Sequence, residues 1–213
     1  HNRLHRNYQD DISLHYYLLA SKDGITIGKR YFKHENNKED YPFSPSGHNL
    51  YDNNSKLYYC RDFDNIVYQI HEDSVVPRFR INLPNPLPAS MIEERPNEMS
   101  LLRSGYSLGI TDIYEYGGLL FFRFVKDGYI WSCLYNVEES KQVYCAKRIK
   151  FLDSSLIDTI DGIYKDCFYS ILTPEYLDYA FSENPLEDYP DLFKTYDVEG
   201  DNPVIAFYRA VVR

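Results

Sequence analysis

Residues 119–125 read Leu-Leu-Phe-Phe-Arg-Phe-Val, apolar on both faces of an extended chain apart from Arg123. Gly117-Gly118 precede them and Lys126-Asp127-Gly128 follow, which are turn sequences suited to tight hairpins. A strand that is apolar on both sides has to be covered above and below its sheet. That requirement constrains this chain more than any other feature. The surrounding pattern repeats it. Strands are expected over 106–114, 119–125, 129–137 and 142–151, joined by short polar turns. An earlier unit reads the same way, with strands at 55–60, 66–71 and 75–83 and turns at 61–65 and 72–74. Three strands in so short a stretch make an antiparallel meander. A hairpin at 13–20 and 25–32, turning at Ser21-Lys22-Asp23-Gly24, opens the chain.

Pro84, Pro86, Pro88 and Pro96 exclude a central strand over 84–104. This segment reads as an insertion between β units, with about a turn or two of helix at 89–94 and 97–103. Near the C-terminus, 163–172 reads as a strand. Thr173 is positioned to cap a helix over 173–182 with Pro174 at its first position. An acidic stretch over 183–202 follows. Residues 203–212 close the chain as a strand with Val204, Ala206, Tyr208 and Ala210 on one face. About eleven strands result, and 22 Tyr and 12 Phe against two Met fit that balance. Four-stranded meanders in series predict an all-β fold of propeller blades, in a single domain over 1–213. A β-sandwich or barrel shares the pattern. Strands buried on both sides favour the propeller, because each blade lies between two others.

The net charge of −9 is concentrated. Between 175 and 201, nine acids stand against Lys194 alone, so this segment carries −8 and the remainder is near neutral. No basic surface offers to neutralise a run of phosphates or anionic lipid heads, so neither nucleic acid nor a charged membrane surface is an expected partner. No run of 18 apolar residues provides a membrane span. The chain begins at His1 without an initiator Met, which reads as a processed product whose export signal, or lipid anchor, lies upstream.

Cys60, Cys133, Cys145 and Cys167 form no CxxC pair. Cys133 and Cys145 flank one hairpin. A three-residue loop at 138–140 sets them opposite each other; a two-residue loop places Cys145 opposite Leu134, with the thiols on opposite faces. The expectation is four unpaired, buried thiols acting as small apolar residues.

At Asp64-Asn65-Ile66-Val67-Tyr68-Gln69-Ile70, followed by Val75-Val76-Pro77-Arg78-Phe79-Arg80-Ile81, the chain resembles a six-bladed β-propeller family of gut Bacteroidetes whose members read as exported lipoproteins. The likeness continues in the Leu-Phe-Phe style of the 119–151 meander. It ends at Asp201-Asn202-Pro203 and the strand after it, so it spans roughly 13–213. One departure is Leu152-Asp153, where the family often has Asn-Asp. The resemblance implies export to the cell envelope and carries over no functional residue. Six blades of about 40 residues need more than 213 residues, so the expectation is an incomplete ring. Its missing blades would come from an N-terminal segment or another copy.

Catalytic signatures are sparse. Phosphate-binding glycine loops, a GxSxG elbow and HExxH are all absent from the sequence. His15, His34, His48 and His71 are scattered, and no metal or cofactor is expected. The acids of 175–201 lack the spacing of an EF-hand loop. Asp62 with Asp64, and Glu93 with Glu94, are the pairs a glycosidase reading would use. Tyr58, Tyr59, Tyr114, Tyr116 and Trp131 are candidates for a sugar-stacking surface. Three functions follow. The favoured one is an exported, non-catalytic binding module for a protein or glycan. The others are an enzyme acting on sugars or lactones through channel carboxylates, and an assembly part whose blade edge docks a partner, signalled by an apolar contact at its N-terminal edge.

Overall fold

A computed structural model of the chain describes residues 16–22, 26–33, 49–94, 96–147, 149–151, 154–157, 160–183, 196–197, 199–200 and 202–209. Two four-stranded antiparallel meanders dominate it. The first holds β3 (Leu50–Asn53), β4 (Lys56–Cys60), β5 (Ile66–Ile70) and β6 (Val75–Arg80) in sequential order. The second holds β7 (Ser107–Tyr116), β8 (Leu119–Lys126), β9 (Tyr129–Asn136) and β10 (Lys141–Ala146). Before them comes the ribbon of β1 (Tyr16–Ser21) and β2 (Ile27–Lys33). After them come a short ribbon of β11 (Ile149–Phe151) with β12 (Ser154–Ile157), and a three-stranded sheet of β13 (Gly162–Tyr164), β14 (Cys167–Leu172) and β15 (Val204–Tyr208). The sheets are propeller blades, and those described do not close into a ring.

Turn chemistry builds these meanders. Gly117-Gly118 and Asp127-Gly128 both have positive φ, which is what two-residue hairpin loops need. Between the meanders, α1 (Ala89–Glu93) and α2 (Glu98–Leu102) occupy the proline-rich insertion. Asn97 caps α2 by accepting from the Ser100 N–H at 2.9 Å. Thr173 does the same for Tyr176, at 3.3 Å, at the start of α3 (Pro174–Glu183).

The two-faced strand is buried as expected. Every residue of 119–125 except Arg123 is inside. The main core joins both meanders to the C-terminal sheet through Tyr51, Tyr58, Val67, Ile113, Phe121, Phe122 and Phe168. Each such side chain removed from water contributes about 1.5–3 kcal/mol. Smaller clusters seat β1–β2 on the first meander (Leu18, Tyr59, Tyr68), and α2 on the second (Leu101, Leu108, Val125).

Three local expectations need correction. Residues 142–151 are not one strand: β10 stops at Ala146, and Ile149–Phe151 pairs instead with β12. Residues 163–172 are a hairpin turning at Lys165-Asp166, where Lys165 holds φ 53° without being glycine. The strand β3 was not anticipated, because Asp52 and Asn53 make its sequence look like a loop. Val204, Ala206 and Tyr208 do share the half-buried face of β15, while Ile205 and Phe207 face outward. Part of the 21–24 turn and the acidic stretch 184–195 lie outside the described residues.

The four-free-thiols expectation also fails. Cys133 and Cys145 form a disulfide, with S–S 2.02 Å and Cα–Cα 4.0 Å. The β9–β10 hairpin starts in register Lys141↔Asn136, which by itself would face Tyr144 to Cys133. A bulge at Val143 shifts the register by one residue and sets Cys145 opposite Cys133. Cys60 and Cys167 are free, the first buried and the second half-buried. Burial pushes the Cys60 thiol pKa well up, which keeps it protonated. In the denatured, unreduced protein a thiol reagent is expected to count Cys60 and Cys167, and all four cysteines after reduction. Cross-linking residues 12 apart constrains the unfolded chain by about 3 kcal/mol. A reductant should therefore lower the melting midpoint by roughly 6–12 °C; an unchanged midpoint, or four reactive thiols without reductant, would contradict the bridge.

Candidate functional site

The first strands of three sheets, β3, β7 and β13, converge. Asn53 is almost fully buried there, and its amide spans two sheets. Its Nδ2 donates to the Tyr51 carbonyl (3.3 Å) and the Ile113 carbonyl (3.4 Å), and its Oδ1 accepts from the Glu115 N–H (2.6 Å). Tyr51 donates its hydroxyl to the Thr111 carbonyl. Tyr114 donates to the Asp161 carbonyl (3.0 Å), tying the second meander to the C-terminal sheet. The Tyr51 and Tyr114 rings meet edge to face at 6.1 Å. Burial first, then the nearby charge of Asp112, pushes both phenol pKa values well up, so both stay neutral donors.

A cavity of about 440 Å³ opens where these strands meet, walled by Leu50, Asp52, Tyr114, Asp161, Gly162 and Tyr169 among others. Its rim is fixed by hydrogen bonds between separate sheets. Asn54 and Ser55, both at positive φ, form the β3–β4 turn. The Asn54 side chain donates to the Lys165 carbonyl in the β13–β14 turn at 3.1 Å. Asp161, on the cavity wall, is held by Oδ2 accepting from the Ile171 N–H at 2.7 Å. Tyr169 lies across Gly162: a Cβ there would stand 2.6 Å from the Tyr169 hydroxyl. Glycine therefore lets the ring reach the cavity. Phenol hydroxyls and carboxylates on a rigid wall suit a ligand rich in hydrogen-bond donors.

A second hollow, about 240 Å³, lies beside Glu115. Lys56 (3.1 Å), Arg78 (3.0 Å) and the Tyr58 hydroxyl all converge on this carboxylate. Burial raises its pKa, but the three donors outweigh that and hold it below the usual carboxylate range. With three donors from neighbouring strands already on it, Glu115 joins β4, β6 and β7.

Sequence candidates fare unevenly. Tyr58, Tyr59 and Tyr114 are buried, and Tyr116 and Trp131 half-buried, with Tyr116 packed on Phe168 and Trp131 on Phe124. Their rings are packing, although the Tyr114 hydroxyl edge reaches the cavity. Asp64 is a turn brace: Oδ1 accepts from the Asn65 and Ile66 N–H groups and Oδ2 from Arg61. Glu93 and Glu94 stand exposed at the end of α1, away from the cavity lining. His71 is exposed, and His15, His34 and His48 lie outside the described residues. Among the described residues no three His, Cys, Asp or Glu side chains gather as a metal site. No described helix is long and apolar enough to cross a membrane. Asp52, Asp161, Gly162 and Tyr169 were missed; the one available signal was Asn54-Ser55, a turn pair directly after Asp52.

Comparison with known proteins agrees with the sheets. No curated protein matches the chain. A crystal structure of a "putative exported protein" from Bacteroides fragilis NCTC 9343 superposes with a TM-score of 0.68 at 15% identity. The match covers 93% of this chain and 58% of that one, so this chain spans little more than half the length of its structural neighbour. The family described as "6-bladed beta-propeller" matches residues 3–155. That is well over half of the 213 residues, and the serial four-stranded meanders are its blades: the chain belongs to the six-bladed beta-propeller family.

Proposed function

We propose that the protein is an exported, non-catalytic binding module that takes a glycan, or a donor-rich protein segment, at the cavity between β3, β7 and β13. One observation carries this reading. Two sheets place a tyrosine ring and two carboxyl side chains, Tyr169, Asp52 and Asp161, and a third places Tyr114, around one open cavity whose walls are pinned to one another by hydrogen bonds. Loops and strand ends on a rigid scaffold are where such folds bind. Export is supported by the Cys133–Cys145 bridge, which persists in oxidising compartments, and by the exported description of the Bacteroides fragilis neighbour.

The test is a glycan array and a pull-down with the wild type, Asp52→Ala and Tyr169→Ala. The wild type is expected to retain a ligand that both variants lose, since a stacked aromatic or a charged hydrogen bond is worth about 1.5–3 kcal/mol, more than tenfold in affinity. Asp52 is exposed, so its variant should melt with the wild type. A retained ligand that ignores both substitutions would place binding elsewhere. The enzymatic reading keeps one point in its favour, that Asp52 and Asp161 line the same cavity. Turnover of aryl glycosides abolished by Asp52→Asn would favour it instead.

A further inference from the structure

The register of a strand is fixed by its pattern when one face is apolar, because a slip by one residue would turn that face to water. The outer strand of the second meander lacks this safeguard. Residues that stand opposite one another share a face, so two rows cross the sheet here. Phe121, Leu134 and Tyr144 form one, and Phe122, Cys133 and Cys145 form the other on the opposite face. All six lie in the main core or pack against it. The two-faced burial of β8 thus extends to both sides of β10. No described strand pairs with the far edge of β10, which is the outermost of its sheet.

A second register is open to it. Lys141↔Asn136 and Gln142↔Tyr135 begin the ladder; Val143, 40% exposed, is then left without an opposite residue before Tyr144 meets Leu134. Continuing the opening register without the bulge sets Val143 opposite Leu134, Tyr144 opposite Cys133 and Cys145 opposite Ser132. Val143 gains an apolar cross-strand partner, Tyr144 moves from one apolar row to the other, and the unpaired residue disappears. Cys145 then lies on the face opposite to Cys133, where the two sulfurs cannot meet. The bridge requires the bulge.

We infer that the Cys133–Cys145 bridge is a redox-sensitive register latch: oxidised, it holds β10 in the bulged register, and on reduction β10 slips by one residue into the continuous one. The reductant is a dithiol. One of its thiolates attacks a bridge sulfur and the Cys133–Cys145 bond breaks. Its second thiol then closes the reductant's own disulfide, and two electrons and two protons end on the cysteines as thiols. The slip carries Ala146 from Ser132 to Trp131. It also draws Lys147 away from the Tyr129 ring, where its ammonium lies 3.5 Å from the centroid. Redox state thereby sets which side chains the outer edge of this blade presents.

Residue-resolved amide exchange on the full chain tests this directly. The Cys133 and Cys145 Cα atoms are 4.0 Å apart, the close spacing of a pair without mutual backbone hydrogen bonds. The bonded pairs are therefore Tyr144 with Leu134 and Ala146 with Ser132. In the oxidised protein the amides of Tyr144 and Ala146 are expected to be protected and that of Cys145 open. After treatment with a dithiol, protection is expected to pass to residue 145, each of the three amides changing by roughly tenfold or more. Cys133→Ser/Cys145→Ser is expected to show the shifted pattern without any reductant. Should that variant fail to fold, the wild type with and without the dithiol decides alone. Protection that stays on Tyr144 and Ala146 once the bridge is open, or that is lost from β10 without reappearing at residue 145, would overturn the inference.

Discussion

Gly109→Ala is expected to destabilise the protein by about 2–5 kcal/mol and lower its melting midpoint by on the order of 10 °C. Two independent costs add. Gly109 has φ 94°, a conformation that an L side chain resists by about 1–2 kcal/mol. An added Cβ would also stand 2.8 Å from the Phe63 Cα and 2.9 Å from the Phe63 nitrogen. Those are backbone atoms of the 61–65 turn in the neighbouring sheet, and that turn has little freedom to retreat. Asp64 braces it with bonds to Arg61, Asn65 and Ile66, and the Ile110 N–H donates to the Asp64 carbonyl at 3.3 Å. The contact is thus where the backbones of two blades touch, and overpacking it costs about 1–3 kcal/mol more. Gly117→Ala separates the two costs. Gly117 has φ 58° but nothing within 4 Å of its Cβ position, so it should lose only about 1 kcal/mol. Equal losses at the two positions, measured by denaturant midpoints, would rule out the close approach.

Gly109 also shows where the sequence stops being informative. The turns at Gly117-Gly118 and Asp127-Gly128 were legible because glycine at a hairpin has a local cause: positive φ next to alternating strands. Gly109 has a cause 46 positions away, at Phe63, and within its own strand it reads only as a weak residue. The same distinction holds elsewhere. The two-faced burial of 119–125 was legible because it is written in consecutive residues. The Cys133–Cys145 bridge was not, because it depends on a one-residue bulge at Val143 that no turn motif announces. At the candidate site, Asp52 and Tyr169 become neighbours of one cavity only when β3 and β13 meet. Each is unremarkable in its own segment, and Tyr169 is one of 22 tyrosines. The strand–turn pattern located the blades, and the motifs of the family resemblance lie outside the cavity lining.

Asp112 and Arg123 present the second large effect, and it comes from the single polar side chain within the two-faced strand. They are direct partners across β7–β8, with Arg123 Nε donating to Asp112 Oδ2 at 2.7 Å. Their side chains are 9% and 18% exposed, so water screens the pair poorly. Asp112→Ala leaves the guanidinium nearly buried without a counter-charge. Breaking such a pair by removing one partner costs about 3–5 kcal/mol. The denaturant midpoint should fall accordingly with an unchanged m-value, because the same surface unfolds. Removing both charges is a different experiment. In Asp112→Leu/Arg123→Met neither ion has to be stripped of water, and apolar replacements of buried pairs are neutral or stabilising by about 1–4 kcal/mol. The double variant is therefore expected to be at least as stable as Asp112→Ala and close to the wild type. The pairwise coupling would then be well above the ~0.5 kcal/mol within which independent sites add. If the losses from Asp112→Leu and Arg123→Met simply summed in the double variant, the two charges would be solvated separately, and the strand would not be closed off from water on its Arg123 face.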